Sequence, residues 1–283
     1  MYGKLYLCAT PIGNLEDITY RVLRIFKEVD IIAAEDTRHS IKLMNHFEID
    51  AKMTSYHEFN KFEKAEVLIN QLKDGKNIAL ITDAGTPGIS DPGEVLVSRC
   101  FDEGIVVSSV PGPAACITAL TMSGLSTRRF AFEAFLPREK RDRQRILEEL
   151  KNETRTIIIY EAPHHLKDTI NELYKTLGDR RITLLRELTK KFEEADRTTL
   201  LALINRFSSE EPKGECVLVI EGKSFEEIDE ENQQKWESMS IEEHMEYYLN
   251  QCNDKKSAMK LVAKDRGVSK RDIYNYLLNL EED

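Results

Sequence analysis

Two kinds of segment in this sequence are suited to chemistry, and both follow short apolar runs. The first kind is rich in glycine and proline. Thr10-Pro11-Ile12-Gly13-Asn14, the eleven residues from Asp83 to Gly93 (Asp83-Ala84-Gly85-Thr86-Pro87-Gly88-Ile89-Ser90-Asp91-Pro92-Gly93) and Pro111-Gly112-Pro113-Ala114-Ala115 are its three examples. Glycine lets a backbone come within hydrogen-bonding distance of a ligand, and proline sets that backbone in advance. A preformed loop loses less entropy on binding. Any one of these loops alone reads as an ordinary turn, but three at the carboxyl edge of one sheet indicate a ligand site. The second kind carries titratable groups able to position or accept a proton: Glu35, Asp36, His57, Glu187 and Lys190. His39 and His46 read as surface residues.

Several chemistries are excluded by spacing. The first loop is not GxGxxG, and no acidic ribose partner stands where a dinucleotide fold requires one. GxxxxGK[ST], HExxH and GxSxG are all missing, which argues against a phosphate-cradling loop, a catalytic zinc and a serine hydrolase. No metal is expected. The five cysteines, Cys8, Cys100, Cys116, Cys216 and Cys252, lie far apart without a CxxC pair, so they read as free thiols. What remains is an organic ligand of about adenosine size.

The elements that would position these loops follow from periodicity. Lys4–Ala9, Asp30–Glu35, Asn77–Thr82 and Ile105–Val110 read as strands, with helices at Asp17–Glu28, Ile41–Phe47, Glu94–Phe101 and Ala114–Met122. Such alternation predicts parallel pairing in an α/β domain over residues 1–123. Further strands at Phe130–Phe135, Thr156–Glu161, Arg181–Glu187 and Glu215–Glu221, with helices at Arg141–Leu150 and Leu166–Leu177, predict a second α/β domain over 124–223. Residues 224–239 turn acidic and read as a linker. A helical region over 240–283 follows, with capping-box starts at Ser240/Glu243 and Ser269/Asp272 and a stop at Gly267.

A net charge of −10 argues against a protein coated in positive field. Arg128, Arg129, Arg138, Lys140, Arg141, Arg143 and Arg145 nevertheless form one local basic cluster. No run approaches the roughly 20 apolar residues that span a bilayer, and the N-terminal apolar run is too short for a signal peptide. The cytosol is the expected compartment.

The segments Ala9–Thr19, Ala34–His39, Ser55–Glu58, Thr82–Gly93, Phe135–Arg138, Tyr160–His164, Arg186–Lys190 and Pro212–Glu215 closely resemble, in the same order, those of the ribosomal RNA small subunit methyltransferase I family of tetrapyrrole methylases. The resemblance runs from about residue 4 to 222. It implies a homodimer of two α/β domains that transfers a methyl group from S-adenosylmethionine to the ribose 2′-hydroxyl of a decoding-centre cytidine in 16S rRNA. Carried onto this sequence, the cofactor contacts would be Pro11, Asp83, Gly85, Ile89, Ala114, Ala115, Tyr160 and Glu161. Ala114 departs from a frequent serine, His165 from a frequent arginine and Thr198 from a frequent glycine. Within this frame Glu187 and Lys190 are expected near the acceptor hydroxyl, and Arg138, Lys140 and Arg141 on RNA phosphates. The alternatives are a small-molecule methylase acting on a tetrapyrrole such as a precorrin, and a nucleic-acid-binding regulator built on the helix-turn-helix-like tail.

Overall fold

The computed structural model describes residues 1–252 and 254–281, so the last two positions of the expected C-terminal region lie outside the described residues. The chain forms two compact units, Met1–Leu150 with Arg155–Glu221, and Lys151–Thr154 with the chain from Gly222 onward.

The first unit opens with β1 (Lys4–Cys8), α1 (Tyr20–Glu28), β2 (Ile31–Ala34), α2 (Thr37–His46), β3 (Met53–Ser55), α3 (Lys61–Lys73), β4 (Ile78–Ile81), α4 (Gly93–Asp102), β5 (Val106–Val110) and α5 (Ala115–Met122). These strands make one sheet in the order β3-β2-β4-β1-β5, with every pair parallel. All residues of β2 and β4 are buried, as expected of strands covered on both faces. One face packs Leu5, Leu68, Leu72, Leu80 and Leu96, and the other Cys8, Phe26, Ile32 and Ile81. Helix α1 shows the local logic. The Thr19 hydroxyl accepts from Val22 N at 3.2 Å, and Val22, Ile25 and Phe26 fall on one buried face.

A second sheet follows: β6 (Phe130–Phe135), α6 (Lys140–Leu150), β7 (Thr156–Glu161), α7 (Leu166–Leu177), β8 (Arg181–Arg186), β9 (Glu194–Thr199), α8 (Leu200–Ser209) and β10 (Cys216–Ile220). Its order is β6-β7-β10-β8-β9, and unlike the first sheet it is mixed. Only β6 and β7 are parallel, while β10 runs antiparallel to β7 and β8, and β9 to β8. Strand β9 was hidden by its polar sequence, Glu-Ala-Asp-Arg-Thr-Thr, with no apolar alternation to betray it. Helix α5, expected to belong to the first sheet, instead puts Cys116, Ala119 and Leu120 against Ile158, Leu185 and Val219 of the second.

The second unit is helical: α9 (Phe225–Ser238), α10 (Ile241–Leu249), α11 (Lys255–Asp265) and α12 (Lys270–Glu281), around Met245, Ala258, Met259, Val262, Ala263 and Ile273. The expected acidic linker over 224–239 is therefore a helix. Ser224 and Glu227 form a capping box, and the acidic first turn suits the positive end of the helix. The anticipated caps at Ser240/Glu243 and Ser269/Asp272 are present. No helix among the described residues is long and apolar enough to cross a membrane.

Candidate active site

Because the first sheet is parallel, the loops after β1, β4 and β5 leave the same edge, from three adjacent strands. They are bonded to one another. Thr10 and Gly85 exchange backbone hydrogen bonds of 2.9 and 3.0 Å, and Thr86 Oγ1 donates to Pro113 O at 2.8 Å. Gly85 has φ +86°, and a Cβ there would lie 3.3 Å from Ile12 Cγ2 and 3.5 Å from Pro113 O. Asp91 shapes the long loop from within. Its carboxylate accepts from Gly88 N at 2.8 Å, Gly93 N at 2.8 Å and Ile89 N at 3.3 Å. Burial pushes the Asp91 carboxyl above its ordinary value, and the backbone amides oppose that push.

The second sheet presents a matching edge. Antiparallel pairing sets Cys216, at the start of β10, beside Glu161 at the end of β7 and Arg186 at the end of β8. A register shift in β6 between Phe132 and Ala134 re-aims the strand end, and Phe135 meets Tyr160 edge-on at 5.6 Å.

Between the two edges lie two adjoining cavities. The first, about 420 Å³, is walled by Ile12, Gly85, Ile89, Ala114, Ala115, Phe135, Tyr160, Glu161, Leu188, Cys216 and Val217. Its size and apolar walls suit a small organic ligand. The second, about 410 Å³, is polar, with Pro11, His39, Lys42, His46, Asp83 and Lys190 among its walls. Ile12, Ala84 and Glu215 border both.

Three groups in the first cavity are already engaged. The Tyr160 hydroxyl accepts from Cys116 N at 2.9 Å. Glu161 accepts from Thr169 Oγ1 and, at 2.8 Å, from Ala162 N. Burial pushes the Cys216 thiol up to about 12, so it stays protonated and is no nucleophile at neutral pH.

At the second cavity Lys190 Nζ donates to Glu215 Oε2 at 2.9 Å and to Glu187 Oε1 at 3.2 Å. Glu187 Oε1 also accepts from Glu215 N at 2.9 Å. That backbone bond comes first among the causes that hold the Glu187 carboxyl below its ordinary value, with Lys190 reinforcing it. Burial works against charge on Lys190, but the bonds to Glu215 and Glu187 outweigh it and raise its pKa. The turn after β8 that carries Glu187 and Lys190 takes left-handed backbone twice, at Glu187 itself (φ 50°) and at Thr189 (φ 64°). Gly13 touches this turn. A Cβ on Gly13 would be 2.7 Å from both Lys190 Cγ and Thr189 Oγ1, so the first loop and the β8 turn are in direct contact.

A family model for tetrapyrrole (corrin/porphyrin) methylases matches residues 4–204. The chain belongs to that family. It is similar to the methylases called ribosomal RNA small subunit methyltransferase I of Halalkalibacterium halodurans, 50% identical over 96% of this chain and 94% of that one. The Bacillus subtilis methylase of the same name is 47% identical over 96% and 93%. The fold is shared with uroporphyrin-III-C-methyltransferase from Thermus thermophilus at a TM-score of 0.56, with 19% identity over 77% of this chain and 94% of that one. As a methyltransferase of this family, the protein uses a methyl donor.

Gly85, Ile89, Ala114, Ala115, Tyr160 and Glu161 line the apolar cavity, while Pro11 and Asp83 line the polar one. Lys190 lines the polar cavity and Glu187 supports it from behind. His57 borders neither, being bonded to Asn60 beside β3. His39 and His46, read as surface residues, are exposed and still form part of the polar wall. Phe135, Leu188 and Cys216 escaped the sequence reading. Phe135 and Leu188 stand at or just past the carboxyl ends of β6 and β8, a signal present in the sequence, whereas Cys216, at the start of β10, reaches the same edge only because β10 runs antiparallel. Arg138, Lys140 and Arg141 are exposed and make no ion pair among the described residues, whereas Arg143 is tied to Glu172 at 2.6 Å and to Thr169 at 2.7 Å. Among the described residues no group of three metal-binding side chains converges.

Proposed function

We propose that this protein transfers a methyl group from S-adenosylmethionine to the ribose 2′-hydroxyl of a decoding-centre cytidine in 16S rRNA of the small ribosomal subunit. The observation that carries the reading is the pair of adjoining cavities, one apolar and one polar, that share Ile12, Ala84 and Glu215. A reaction between a donor and a separate acceptor needs two such sites in contact. The names of the relatives support ribosomal RNA as the acceptor. The absence of any long hydrophobic helix among the described residues suits work in the cytoplasm, and the family resemblance supports a homodimer.

The residues fit the cofactor. Aliphatic walls from Ile12, Ile89, Leu188 and Val217 accept an adenosyl group, and glycine at position 85 leaves the floor open where a Cβ would meet Ile12. Gly85, Ile89, Ala114, Ala115, Tyr160 and Glu161 would hold it, with Pro11 and Asp83 at its polar side. When bound, the cofactor supplies an electrophilic methyl group for an in-line displacement. The chain's own part is to align the acceptor and exclude water. Lys190, fixed between two carboxylates, places a permanent positive charge beside the acceptor cavity and is unsuited to accept a proton. Glu187 positions that ammonium. The unpaired Arg138, Lys140 and Arg141 are free to meet RNA phosphates, while the acidic remainder suppresses indiscriminate binding.

The test is to map 2′-O-methylation in 16S rRNA from 30S subunits incubated with S-adenosylmethionine, with and without the protein. One new modified cytidine is expected. Methylation of uroporphyrinogen in place of the subunit would overturn the reading and favour a small-molecule acceptor.

A further inference from the structure

Of the groups considered as bases, most are already committed. Glu35 Oε2 accepts from Thr82 Oγ1 at 2.5 Å and from Asp83 N at 3.4 Å. Asp36 caps α2 and pairs with Arg38 at 2.8 Å. Glu187 is tied to Lys190 at 3.2 Å and to Glu215 N at 2.9 Å. Two histidines on one face of α2, His39 and His46, line the acceptor cavity, and only His39 has a carboxylate beside its ring. Its Nδ1 lies 4.0 Å from Asp83 Oδ1. Asp83 is fixed in turn, since Oδ1 accepts from Asp36 N at 3.1 Å. Asp83 directly precedes Ala84, one of the residues common to both cavities, so this pair stands beside the junction where donor and acceptor must meet.

We infer that His39 is the general base of the methyl transfer, with Asp83 as its positioning residue; this rests on the methylation proposed above. At 4.0 Å the contact is electrostatic and longer than a hydrogen bond; the Asp83 carboxylate favours a proton on Nδ1, which leaves Nε2 as the nitrogen able to accept one. In the step, the acceptor oxygen forms its bond to the methyl carbon and the carbon–sulfur bond breaks with its electron pair left on sulfur. The hydroxyl proton moves to His39 Nε2, giving an imidazolium paired with Asp83. The charged and titratable groups that share its cavity are Asp83, Lys42, His46, Lys190 and Glu215, with Glu35 and the Asp36–Arg38 pair bonded next to Asp83. Lys190 lines the same cavity, so a base and a cation both border the acceptor.

The test uses the full chain, S-adenosylmethionine and 30S subunits not yet methylated at the target. His39→Gln should lower kcat by about 100-fold or more, the scale of a lost general base, and abolish the acidic limb of the pH–rate profile. Donor affinity by calorimetry should stay within about twofold, which is under half a kcal/mol. Nitrogen-15 shifts of the His39 ring, read without turnover, should show the Nδ1–H tautomer in the native protein and its loss in Asp83→Asn. A smaller fall in kcat, a retained acidic limb, or a tautomer unchanged by Asp83→Asn overturns the assignment. Native protein that modifies no 30S cytidine would instead overturn the reading of the substrate, leaving the tautomer result to judge the His39–Asp83 pair by itself.

Discussion

Thr10 and Gly85 exchange two backbone hydrogen bonds, 2.9 and 3.0 Å long, across loops seventy-five positions apart in the chain. The bridge fuses the turn after β1 to the turn after β4. It requires the left-handed backbone of Gly85, φ +86°, and the space that a side chain would take from Ile12. Replacement by alanine should cost about 1–2 kcal/mol for the backbone alone. Gly85→Ala is therefore expected to unfold at lower temperature and to bind S-adenosylmethionine at least about tenfold more weakly, or 1.4 kcal/mol. Calorimetry and thermal melts check both.

Tyr160 contributes to the apolar cavity through its ring, because its hydroxyl is bonded to Cys116 N at 2.9 Å. Tyr160→Phe should leave that amide unpartnered at a cost of about 1 kcal/mol, with donor affinity nearly kept. Tyr160→Ala should lose affinity as well as stability, since Phe132 and Phe135 both pack on the ring. Equal affinity losses in the two variants would mean that the hydroxyl itself touches the donor.

Lys190 is held at 2.9 Å from Glu215 and 3.2 Å from Glu187. Lys190→Gln keeps a hydrogen-bonding side chain and removes the charge. Its methyl transfer to 30S subunits should fall by about 100-fold, the scale of one lost electrostatic donor, at unchanged donor affinity. Near-native rates at saturating donor would remove Lys190 from the acceptor site.

Glu187 gives a pH dependence of known sign. Its ordinary pKa is 4.5, and the folded value lies below that because of the bond from Glu215 N and the charge of Lys190. Between the two values the unfolded chain binds more protons, so stability rises with pH there. The contribution is present above about pH 4.5 and is lost as pH falls through the folded value. Melts of native protein and Glu187→Gln should thus differ at neutral pH and converge in acid.

Arg138, just before α6, and Lys140 and Arg141 in its first turn are exposed and make no ion pair among the described residues. Replacing all three by alanine should weaken binding to 30S subunits and reduce the slope of log affinity against log salt by roughly 2–3. Donor affinity should not change. An unaltered salt slope would place the RNA path elsewhere.

Four of the five strands of the first sheet were legible, because β2 and β4 are buried apolar runs and glycine and proline mark the loops after β1, β4 and β5, whereas the three-residue β3, Met-Thr-Ser, left no local signal. Helix starts at Ser240 and Ser269 were legible from their local capping residues. The chain alone also placed Gly85, Ala114 and Tyr160 at strand ends, hence near a ligand. Three things were decided only in three dimensions. The polar strand β9 exists because all six of its residues pair antiparallel with β8, with Arg206 tying Glu194 at 3.3 Å and Asp196 at 2.7 Å, a non-local pairing with no periodic trace. The acidic run over 225–238 carries its own capping box at Ser224/Glu227, but its docking, with Trp236 stacked on His244 at 4.1 Å, is tertiary. His39 entered the polar cavity because parallel pairing of β2 with β4 sets the start of α2 beside Asp83. Local periodicity fixes which residues leave the sheet edge, and the order of the strands fixes which of them meet.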